Sequence, residues 1–147
     1  MKLFITILLL SLAPLAQAAP AVVLESSQSA GFTPDPKSHK FTLTDDGKMA
    51  VEIFSFKDHT KKVVDLGSLS SEGMKLIEDQ VNFVDTKAPL IDQNKGMPDC
   101  SDAPVVETAV YVKGARKVIA RSASCHSYQL EYGQGASLAG FAATFVY

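Results

Sequence analysis

Tryptophan is absent from this 147-residue chain, and cysteine occurs only twice. Without Trp there is no Trp-lined platform on which sugar rings could stack. A basic excess is missing too, since 14 Lys and Arg stand against 16 Asp and Glu. That balance lacks the clustered positive charge that nucleic acid or anionic lipid would demand, so no nucleic-acid partner is expected. The longest basic cluster, Lys61-Lys62, is flanked by His59 and followed by Asp65, and it reads as a solvated turn. Apolar runs are confined to the first dozen residues, and nothing later could span a bilayer as a helix. No stable membrane insertion is therefore expected. Repeats and low-complexity tracts are absent, and no cofactor is implied.

What the chain does have begins at its start. Lys2 supplies a positive charge, Leu3 to Leu12 is almost wholly apolar, Pro14 breaks the run, and Ala16-Gln17-Ala18 ends it with small residues. This is the pattern of a cleavable secretory signal peptide over residues 1–18, too short to serve as a comfortable membrane span. Cleavage after Ala18 removes Lys2 and leaves 13 basic and 16 acidic side chains, a formal charge of −3. The expected destination is the periplasm or the medium. Cys100 and Cys125 would then meet an oxidising compartment, where a disulfide is the default. Closing a loop with 24 intervening residues is worth about 3.5 kcal/mol in the chain-entropy account.

Residues 19–40 are rich in Ser, Ala and Pro and read as a flexible leader, with Val22 to Leu24 available as an edge strand. Phe41 to Thr44 and Met49 to Phe56 alternate on either side of Asp45-Asp46-Gly47, the signature of a hairpin whose Gly accepts positive φ. Apolar side chains fall on both faces after Ile53, which predicts a register slip there. Lys57 to Lys62 reads as a polar turn, and Val63 to Leu66 as a third strand. From Ser68 to Val84 the period changes: Met74, Ile77, Val81 and Val84 recur at helical spacing, with Leu76 and Phe83 widening the stripe. Ser70 or Ser71 can cap that helix, and Glu72 suits its first turn.

Asp85 to Pro104 reads as one long Pro-stiffened loop. Val105 to Val112 and Lys117 to Ser124 form a second hairpin, expected to turn at Gly114-Ala115 with Val110 opposite Ile119 and Cys125 opposite Pro104. Tyr128 to Tyr132 reads as a strand, and residues 136–147 fit either an Ala-rich helix or a closing strand. The expected architecture for residues 41–147 is a single disulfide-linked α+β domain, an antiparallel sheet of five or six strands with one main amphipathic helix.

Asp99, Asp102 and His126 lie close in sequence to the two Cys residues. With free thiols they could supply a zinc site, or with Met97 a copper site. The spacing fits no standard zinc motif, and export favours the disulfide, so no metal is assigned. Cys125-His126 is no nucleophile–base pair if both lie on a strand, because neighbours there point to opposite faces. Ser70-Ser71 lacks a surrounding Gly-x-Ser-x-Gly, and His39 and His59 sit in polar segments. The Asp45-Asp46 pair belongs to a turn, and Asp99 with Asp102 lacks the oxygen-ligand spacing of a calcium loop. No catalytic residue is assigned. The residues that best suit recognition are in the long loop: Pro89, Leu90, Ile91, Met97, Pro98 and Asp99. The expected function is a non-catalytic exported module that binds a protein partner. The alternatives are a protease inhibitor acting through the Asp85–Pro104 loop, or a periplasmic metal-binding protein.

Overall fold

The computed structural model describes residues 19–101 and 103–146. The signal-peptide segment, Asp102 and Tyr147 lie outside the described residues. Eight strands form one sheet: β1 (Val22–Gln28), β2 (Lys37–Thr44), β3 (Lys48–Ser55), β4 (Thr60–Ser68), β5 (Leu90–Asp92), β6 (Val106–Val112), β7 (Ala115–Ala123) and β8 (His126–Leu130). Their order across the sheet is β4-β3-β2-β1-β6-β7-β8-β5, and each pairing is antiparallel. Among the described residues two α-helices accompany it, α1 (Ser71–Asn82) and α2 (Ala136–Ala143). The class is α+β as expected, with a larger sheet and a second helix.

The first hairpin follows its local chemistry. Gly47 takes φ +82°, and β2 and β3 pair with Leu43 opposite Met49 and Phe41 opposite Val51. The slip expected at Ile53 does not occur in this hairpin. Phe54, on the far face from Phe41, instead packs edge-to-face on Phe56 with ring centroids 4.8 Å apart, so an apolar residue there needs no change of register. Register shifts sit instead between β3 and β4 at Met49/Ala50, in β1–β2 at Val22/Leu24, and in β6–β7 at Thr108/Ala109. The turn after β3 is shorter than expected, and Lys61 and Lys62 belong to β4.

The leader differs most from expectation. Val22–Gln28 is an inner strand flanked by β2 and β6, and β2 already begins at Lys37. Leu24 and Ser26 are fully buried there, Leu24 opposite Leu43 and Val110, Ser26 opposite Phe41 and Thr108. The hydroxyls of Ser26 and Thr108 lie 2.9 Å apart, so two buried polar groups satisfy each other.

Helix α1 is capped by the Ser70 side chain, which accepts from the Gly73 N–H at 3.2 Å. Met74, Ile77 and Val81 are buried as the spacing predicts, with Val84 just beyond. Leu76 and Phe83 do not widen the stripe; they are exposed, Phe83 at 83%. Of the C-terminal segment left open between helix and strand, Ala136–Ala143 is helix and residues 144–146 are turn. Phe141 and Phe145 pack on Phe41 of β2, with centroids 6.0 and 4.6 Å away, and this seats α2 on the face that holds Leu24 and Leu43. Ser137 donates to Gln80 at 2.5 Å and ties the two helices together.

The opposite face carries a charge ladder. Lys61 pairs with Glu52 (2.6 Å), Lys40 with Glu25 (3.1 Å), and Arg116 with both Glu25 (2.6 Å) and Glu107 (2.7 Å). Burial pushes the Glu25 carboxyl up, but hydrogen bonds from Arg116 and Lys40 more than reverse this and hold it below the usual range.

Candidate functional site

The second hairpin sets the geometry at the far end of the sheet. Its turn falls on Lys113-Gly114, both at positive φ, so Tyr111 lies opposite Arg116 and Val110 opposite Lys117. This corrects the expected turn by one residue, because a two-residue turn of this hand matches strand twist best when both central residues have φ above zero. The bulge then inserts Ile119, which is buried.

A second two-residue turn, Ser124-Cys125, joins β7 to β8, again with both φ positive, at 51° and 67°. Cys125 therefore occupies a turn rather than a strand, and it does not face Pro104. Cys100 folds back to it: the α-carbons are 5.5 Å apart in the Cys100–Cys125 disulfide, and the Cys100 N–H donates to Ser124 O at 3.1 Å.

The turn puts His126 at the first position of β8, where the residue is 8% exposed. Asp92 Oδ2 lies 2.8 Å from its Nδ1, and Asp99 Oδ1 lies 3.2 Å from its Nε2. Asp92 ends β5, the three-residue strand that pairs with β8 inside what the sequence presents as an uninterrupted loop. The Asn94 backbone N–H, the strongest influence, and the His126 ring together hold the Asp92 carboxyl below its usual range against the opposing effect of burial. Further ties pin the same segment: Gln93 N–H donates to Ser127 O at 2.8 Å, and Ser127 N–H donates to Asn94 Oδ1 at 3.1 Å.

Of the residues singled out in the sequence, His126, Asp99, Cys100 and Cys125 are brought together. Asp102 lies outside the described residues. Both sulfurs are joined to each other, the two carboxylates sit on opposite nitrogens of the imidazole, and no group of three ligating side chains occurs among the described residues. His59 occupies the β3–β4 turn, and His39 lies on β2. Asp45 and Asp46 do turn chemistry, the Asp46 carboxylate accepting from Thr44 at 2.6 Å.

The arrangement is a clamp. It leaves Pro89, Ile91, Met97, Pro98 and Asp99 exposed and Leu90 half-buried. Asp92 is the participant that sequence reasoning missed. Its local Asx geometry with Asn94 was readable from the Asp-x-Asn order, but its contact with His126 spans 34 positions and has no sequence signature. Against protein-family models, curated proteins and solved structures, the chain shows no match. No described helix is long and apolar enough to cross a membrane.

Proposed function

We infer that this is an exported, non-catalytic recognition module that grips a protein partner with the segment Pro89 to Asp99. The observation that carries this reading is the clamp. The His126 Nδ1–Asp92 hydrogen bond, a disulfide and backbone bonds to β8 all serve to hold a loop whose tip presents Met97 at 59% exposure. Fixing a loop before contact removes the ordering cost that a partner would otherwise have to overcome, which favours affinity. Export is supported by the disulfide together with the signal-like first 18 residues.

The test is photo-crosslinking from a probe residue placed at position 97 in the cell that makes the protein, with position 76 as the exposed control. One discrete adduct from 97, absent from 76 and several-fold weaker in the C100S/C125S variant, is expected. No adduct from 97 sinks the reading. So does turnover of ester, phosphoester, glycoside or peptide substrates that disappears in His126→Ala. Intact mass of the mature protein is expected to start at Ala19. Protease inhibition is a narrower form of the same proposal, tested with serine, cysteine and metalloproteases at micromolar concentration. One local feature weighs against it: Met97 N–H donates to Asn94 O at 2.9 Å, a turn rather than the extended segment a protease cleft accepts.

A further inference from the structure

A sheet that does not close has two edges, and here they are treated differently. The β5 edge is three residues long and runs straight into the clamped loop, which blunts it. The β4 edge is nine residues long, all exposed except the half-buried Val64, and β3 is its one substantial neighbour among the described elements. Val63 is 60% exposed on it. Bare edges of this length invite another strand.

We propose that β4 pairs with β4 of a second copy of this chain, antiparallel about a two-fold axis through Val63, joining two eight-stranded sheets into one. The charge pattern selects this occupant. A two-fold axis normal to the sheet sets residues of the same face opposite each other, so the register must centre on a residue of β4. Centring on Val63 places Lys61 opposite the second copy's Asp65 and Asp65 opposite its Lys61, with the two Val63 side chains facing each other. Centring on Lys62 opposes two Lys62 side chains, and centring on Asp65 opposes two carboxylates. Centring on Val64 sets Asp65 against Val63 and leaves the charges unpaired. Opposite charges across a strand pair attract and like charges repel, so one register satisfies the edge. Lys61, Val63 and Asp65 all lie on the face of Glu52, to which Lys61 is already paired at 2.6 Å. The charge ladder would therefore run on through the junction. The β4 bulge, at Leu66, falls just outside the Lys61–Asp65 run and does not interrupt it.

The experiment is sedimentation equilibrium of the mature, disulfide-intact protein from micromolar to several hundred micromolar concentration. A reversible dimer is expected, weak because a single strand pair buries little surface. Asp65→Lys and Lys61→Asp are each expected to weaken the dimer by roughly tenfold, replacing two attractive cross-strand pairs with two repulsive ones. The double variant K61D/D65K restores opposite charges and is expected to recover most of the association lost in K61D. Both K61D and the double variant lose the Glu52 pair, so this comparison is free of that effect. Far-UV circular dichroism checks that each variant is folded. A monomer at every concentration overturns the proposal, and so does a double variant that associates no better than K61D.

Discussion

Several charged side chains in this protein hold one another. Glu25 is buried on an inner strand and is tolerable there because Arg116 and Lys40 both reach it. Glu107 and Glu25 in turn hold the Arg116 proton more tightly than usual. At the first hairpin, the Lys48 ammonium, followed by the Thr44 hydroxyl, pulls the Asp46 carboxyl down to about 2. Asp46, Glu25 and Asp92 all shift in the same direction. A carboxyl lowered by folding stabilises the native state above its unfolded value, near 4. That contribution fades as pH falls through the folded value. The protein is therefore expected to lose stability progressively from about pH 4 towards pH 2. Asp46→Asn should flatten part of that decline in urea midpoints measured across the range, and an unaltered slope would remove Asp46 as a source.

Among the elements, the turns impose the tightest local conditions. Gly47 and Gly67 both have positive φ, but their surroundings differ. A Cβ at Gly47 would meet Met74 Cγ at 3.2 Å, whereas one at Gly67 would meet open space. Ala at either position should cost about 1–2 kcal/mol for the left-handed backbone alone. Gly47→Ala is expected to cost more than Gly67→Ala by whatever α1 resists as Met74 moves aside. Chemical denaturation of the two variants reads that difference directly, and equal losses would mean that Met74 yields freely. The helices carry the same lesson in reverse. α1 is held by its Ser70 cap and by apolar residues at helical spacing, while α2 has no side-chain cap and leans on the contact of its Phe141 with Phe41.

For the whole molecule, the disulfide joins the loop that leaves β5 to the turn between β7 and β8, one of several ties at that end of the sheet. The C100S/C125S variant is expected to lose about 3.5 kcal/mol of unfolding free energy, within the 2–5 kcal/mol common for small secreted domains. Hydrogen exchange should show the loss concentrated in residues 93–100 and the start of β8. Uniform loss across β1 to β4 instead would mean that the bridge supports the fold at large rather than the clamp.

Features whose causes lie within a few residues are legible in the sequence. The Asp45-Asp46-Gly47 turn needed only a residue free to take positive φ, and α1 needed only its cap and its 3.6-residue period. The disulfide followed from the inferred compartment and the presence of just two Cys residues. Features decided by partners far along the chain were not legible. Val22–Gln28 looks like a leader because its own composition is weak, and it becomes an inner strand because β2 and β6 close on both sides of it. The last residues alternate enough for a strand and hold enough Ala for a helix; Ala136–Ala143 is helix, with its Phe141 set edge-to-face on the distant Phe41 of β2. His126 finds Asp92 because β5 pairs with β8. Local conformation depends on neighbours that the sequence lists in order, whereas strand order and side-chain clamps depend on which distant surfaces bury each other best.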